Sequence, residues 1–96
     1  MSAGELIKKS MIKKDIGTAL LAQYTRISRT HIIHIINDKR ALTVANAVRI
    51  ANALKNITPN ELLHAQIDRL VKEEYNKKKT LEKPLVIRNL DNRKAS

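Results

Sequence analysis

The 96-residue sequence has no cysteine, phenylalanine or tryptophan, and only two glycines, two prolines and two tyrosines. Without cysteine there are no disulfides, thiolate metal sites or cysteine nucleophiles, and the composition fits a reducing cytoplasm. Two glycines cannot furnish a glycine-rich phosphate loop. Two tyrosines make poor platforms for stacking unpaired bases, so among nucleic acids duplex DNA is favoured over RNA or single strands. No apolar run approaches the roughly 18 residues of a membrane span, and the basic N-terminus is not followed by an apolar leader segment, so the chain reads as neither membrane-bound nor secreted. Acids are scarce: nine Asp and Glu face nineteen Lys and Arg, a net charge of +10. That balance favours a polyanionic partner, nucleic acid being the simplest, with solubility alone as the alternative role. The length allows one small domain with a modest core. Its scattered acids build no paired-carboxylate or nucleophile–base arrangement, so no enzyme is expected.

What is present is concentrated in Gly17 to Arg40, GTALLAQYTRISRTHIIHIINDKR. Leu20, Leu21 and Tyr24 can share one side of a helix beginning after Gly17 or Thr18. A second helix can start at Ser28 and turn Ile32, Ile35 and Ile36 inward. Only Thr25, Arg26 and Ile27 separate them, so the two helices must cross steeply, with small Ala22 where the backbones approach. At about 100° per residue, Thr30, Ile33 and His34 point outward, with Arg29 at the edge. A convex, mostly polar and partly basic helix of this kind fits the DNA major groove.

The spacing of Ala22, Ile27, Ser28, Ile32 and Ile35, followed by Asn37, Lys39 and Arg40, resembles the Cro/C1 (XRE) family of helix-turn-helix regulators over roughly residues 4 to 64. The resemblance implies an all-α, compact five-helix, lambda-repressor-like DNA-binding domain that acts as a transcriptional regulator, most often a repressor. It implies that Arg29, Thr30 and His34 read bases, and that Thr18, Ser28 and Asn37 hold phosphates. Two positions depart from the family pattern. Arg26 replaces the turn glycine and Asp38 the glycine after the recognition helix; positive φ at either place would suit Asp better than Arg.

Along the rest of the chain, residues 5 to 15 carry Leu6, Ile7, Met11 and Ile12 at helical intervals, with Ser2 and Glu5 at capping-box spacing. Lys8, Lys9, Lys13 and Lys14 form an outer face that is solvated or flanks phosphates. Asn37 to Arg40 read as a loop whose Lys39 and Arg40 meet phosphate oxygens, or as an ordinary turn. Thr43 is a predicted N-cap for a helix Val44 to Leu54 with Val44, Ala47, Val48, Ala51 and Leu54 inward. Thr58-Pro59-Asn60-Glu61 gives a capping box with proline at the first helical position.

The helix that follows can run to about Lys79, some 30 Å at roughly 1.5 Å per residue, too long for this domain to cover. Its apolar strip of Leu63, Ile67, Leu70 and Val71 predicts a homodimer interface; the alternative is that it folds back on its own core. Asp68 with Lys72, Glu73 with Lys77 and Glu74 with Lys78 have acid-before-base spacing. Residues 1–79 therefore form the predicted DNA-binding domain. Residues 80–96 form a basic C-terminal tail that reads as disordered, in which Pro84 bars further helix and Leu85 to Ile87 could form a short strand.

No cofactor or metal is expected. His31 and His34 have a spacing that could share a metal, but no third ligand is near. His34 reads better as a polar DNA contact, His64 as a partly buried interface residue, and Ile33 as a partner for a thymine methyl or a protein neighbour. A second function is also in view. Gly4-Glu5-Leu6, the Asn37–Arg40 loop, Ala51 to Leu54 and Thr58-Pro59 together resemble the HigA-type antitoxins, which implies a toxin protein as partner and autoregulation of an operon. There Leu62 and Leu63 stand where that group often has an aromatic pair. A nonspecific architectural binder is a third class, and the recognition helix speaks against it.

Overall fold

The computed structural model describes the backbone of residues 1–81 and side chains through residue 77. Residues 82–96, with Pro84 and most of the expected tail, lie outside the described residues. Five helices follow one another: α1 (Ala3–Lys14), α2 (Thr18–Thr25), α3 (Arg29–Ile36), α4 (Val44–Leu54) and α5 (Pro59–Leu81). The described residues form an all-α domain without strands.

Short polar side chains set four of the five starts. Ser28 and Thr43 accept the backbone N–H three residues on, from His31 and Asn46. Ser2 with Glu5, and Thr58 with Glu61, form reciprocal capping boxes. Above all the Ser2 backbone N–H, which donates to the carboxylate, holds Glu5 below its ordinary pKa. Helix ends use the left-handed region without glycine: Asp15, Arg26, Asp38 and Lys55 have φ of 55°, 62°, 59° and 68°. Around Asp15 and Asp38 the turn closes with paired backbone bonds, Ile16 N–H to Met11 and Lys39 N–H to His34 among them.

The core is formed by one row from each helix. Ile7, Leu21, Ile32, Ile50, Leu54 and Leu62 are fully buried, each contributing about 1.5–3 kcal/mol of transfer free energy. α1 packs on α3, α4 and α5; α2 lies on α3 and α4. The inward rows contain Ile7, Met11, Leu21, Ile32, Ile35, Ile36, Ala47, Ala51 and Leu54 as expected, but their edges differ from the expected ones by about one helical step. In α2, Leu21 and Thr25 face in, while Leu20 and Tyr24 are 37% and 58% exposed. In α4, Ile50 belongs to the core and Val44 and Val48 do not. Ile12, beside buried Met11, faces solvent. Each of these helices has more apolar residues than its buried row holds, so hydrophobicity alone leaves the rotation open, and packing against neighbours decides it.

α5 both folds back and projects. Leu62 is buried and Leu63 packs against the core, so Leu63 leaves the proposed interface strip, whereas Ile67, Leu70 and Val71 remain about half exposed. Tyr75, four residues beyond Val71, extends that strip. His64 is exposed rather than partly buried. The ion pairs also differ: Glu73 bonds Arg69 at 3.1 Å and Glu74 lies 3.9 Å from Lys77, so Glu73 is not free for Lys77 in the expected acid-before-base pairing. No described helix is long and apolar enough to cross a membrane.

Candidate nucleic-acid interface

The corner between α2 and α3 is fastened from inside. The Thr25 hydroxyl donates to the Leu21 carbonyl at 2.8 Å and accepts the Ile27 N–H at 3.3 Å, while Ile27 is buried. Arg26 then takes the left-handed turn with its N–H on the Ala22 carbonyl. An arginine there bears a cost of about 1 kcal/mol that glycine would not. The turn is held nonetheless, because burial of Leu21, Ile32 and Ile35 on either side outweighs that cost.

This corner brings the first turns of α2 and α3 together. Arg29 donates its Nε–H to the Thr18 hydroxyl at 3.2 Å across the gap. That bond fixes the guanidinium plane and leaves both Nη groups, the pair that can bridge guanine O6 and N7. Thr18, half-buried, still has its own hydroxyl proton to donate. Ser28 likewise accepts from His31 and keeps a proton for an outside acceptor. Gly17 precedes α2 without a side-chain cap, so the first-turn amides of α2 have no side-chain acceptor there, as suits an incoming anion.

Of the outward residues on α3, Arg29 and Thr30 are exposed, Ile33 is 38% exposed and His34 is half-buried. His31, also half-buried, lies on the flank, and among the described residues no group of His, Cys, Asp or Glu is arranged to hold a metal. Ser28, Asn37, Lys39 and Arg40 are exposed at the two ends of the helix. The eight residues expected to meet DNA thus occupy α2's first turn, the exposed side of α3 and the loop behind it.

A family model described as helix-turn-helix matches residues 7–62, more than half of the chain. The chain belongs to the Cro/C1-type helix-turn-helix (XRE) family. It is a DNA-binding transcription regulator of the XRE type, in a family that is normally non-enzymatic, and double-stranded DNA is the partner the family binds. A comparison with curated proteins finds no match.

Around this XRE scaffold lie contacts that sequence reasoning passed over. Asp38 accepts the Gly4 N–H at 3.1 Å and the Ser2 hydroxyl at 2.7 Å, and its Oδ1 is 3.5 Å from Arg69 Nη1. Gln66 accepts the Leu42 N–H at 2.6 Å and donates its amide N–H to the Leu42 carbonyl at 2.9 Å. The one available sign of the first contact was an aspartate in the family's glycine position. Nothing local to Gln66 announced the second.

Proposed function

We propose that the protein is a homodimeric, sequence-specific repressor that inserts α3 into the major groove. In this reading Arg29, Thr30 and His34 contact bases, and Thr18, Ser28, Asn37, Lys39 and Arg40 contact phosphates. The observation that carries it is the Arg29–Thr18 bond. It holds a guanidinium at the first turn of the recognition helix with two donors unspent, and a pre-oriented arginine is suited to one base rather than to phosphate in general. Ile67, Leu70 and Val71 support a two-fold assembly, because they leave an apolar strip open on α5.

Selection of bound duplexes from a random pool at fixed salt tests the reading. A two-fold motif with a guanine in each half is expected. Arg29→Ala should then cost about 1–3 kcal/mol on that motif and relax the preference at one base pair. Equal losses on selected and random duplexes would overturn base reading by Arg29. The antitoxin alternative rests on the same residues that suggested it; a net charge of +10 suits a polyanion better than a basic ribonuclease.

A further inference from the structure

The loop that follows the recognition helix is pinned to α5 at both of its ends. At the entry, the Asp38 carboxylate meets Arg69 at 3.5 Å while also accepting from Gly4 and Ser2. At the exit, the Leu42 N–H donates to Gln66 Oε1 at 2.6 Å, and Gln66 Nε2 donates to the Leu42 carbonyl at 2.9 Å. Gln66 and Arg69 stand three apart on α5, hence on one side of it. Between the two anchors Lys39, Arg40 and Ala41 are exposed. Two cations therefore ride on a three-residue span bonded to α5 at both ends.

We infer that Gln66 and Arg69 are positioning residues for DNA binding: α5 fixes where Lys39 and Arg40 meet the phosphate backbone. This rests on the proposed reading of those two side chains as phosphate contacts. Two effects act together. A free loop would lose backbone freedom on docking, and a loop ordered beforehand has already met that cost. Arg69 also occupies the carboxylate next in sequence to Lys39 and Arg40. Among the described residues neither cation has an ion-pair partner, and with Arg69 removed Asp38 becomes a competitor with DNA for them. Because Ile67, Leu70 and Val71 belong to the same helix, phosphate grip and the apolar strip move as one body.

The test compares the full chain with Q66A/R69A, Arg69→Lys and K39A/R40A on the selected duplex. Anisotropy titrations from roughly 50 to 300 mM salt give the slope of log affinity against log salt, which counts phosphates neutralised. K39A/R40A should lower that slope by about 2 per bound chain. Q66A/R69A should lower it by about 1 or more and weaken binding about three- to tenfold near 150 mM salt, with both cations still present. Arg69→Lys, which keeps a positive charge beside Asp38, should restore most of the slope. Circular dichroism and sedimentation should show Q66A/R69A as helical and assembled as the parent. A parental slope in Q66A/R69A overturns the inference, whatever the loss of affinity, since a purely structural defect lowers the active fraction and not the phosphate count. If K39A/R40A itself keeps the parental slope, the phosphate reading fails and the positioning role with it.

Discussion

Gly4 shows how a single residue's meaning can depend on a neighbour more than thirty positions away. It sits in the first turn of α1, where alanine would ordinarily add about 1 kcal/mol of helix stability. A Cβ there would run into the carbonyl oxygen of Ile36, at the end of the recognition helix. Overpacking against backbone costs about 1–3 kcal/mol and wins over the propensity gain. Gly4→Ala should therefore lower the urea midpoint of unfolding; a raised midpoint would mean that the two backbones are not in such close approach. Arg26 and Asp38 carry the complementary lesson. Their departure from the family's glycines was visible in the sequence, and both do adopt positive φ. That Asp38 would also receive Ser2, Gly4 and Arg69 was not visible, because those partners are distant in sequence.

Helices were legible where their ends are written in local chemistry. α4 begins after Thr43 and ends at Leu54, as read from the cap and the apolar period, and α5 opens at Pro59 in its capping box. The α1 capping box is equally local and supplies a pH dependence. The Glu5 carboxylate accepts the Ser2 N–H in the folded chain, so its folded pKa lies below the ordinary value of 4.5. Its contribution to stability is complete above that value and is lost as pH falls through the lowered folded one. Wild type should thus be more stable than Glu5→Gln at pH 7, and the difference should shrink as the pH falls below 4.5 and vanish under stronger acid. A difference that stays constant from pH 7 to 3 would count against the box. Rotation was less legible than extent. In eight-residue α2, Leu20, Leu21 and Tyr24 offer two apolar rows, and only contact with α3 and α4 selects Leu21.

At the scale of the whole molecule, α5 has two jobs along its length. Its first turns close the core through Leu62 and Leu63 and hold the loop behind α3 through Gln66 and Arg69. Interleaved with these and beyond them, Ile67, Leu70, Val71 and Tyr75 are 54%, 49%, 47% and 66% exposed. If a second copy covers this strip, Ile67→Glu should leave helix content near that of the parent. It should weaken self-association by at least about tenfold, since a central apolar anchor contributes upward of 1 kcal/mol and occurs twice in a two-fold interface. Sedimentation equilibrium reads the result directly. Parental association in that variant would remove the strip from the dimer.

By itself the sequence determined the helical class, the two-helix corner, most helix ends, the positive charge and the family. The family came through resemblance to its motif; the rest follow from periodicity, capping residues and composition, which act over a few residues at a time or over the chain as a sum. Tertiary structure alone decided which of several apolar rows each helix buries, how Thr18 comes to hold Arg29, and how Asp38, Gln66 and Arg69 bind the loop to α5. The reason is geometric. Such contacts join residues eleven to thirty-six positions apart, and their geometry exists only once the helices are packed.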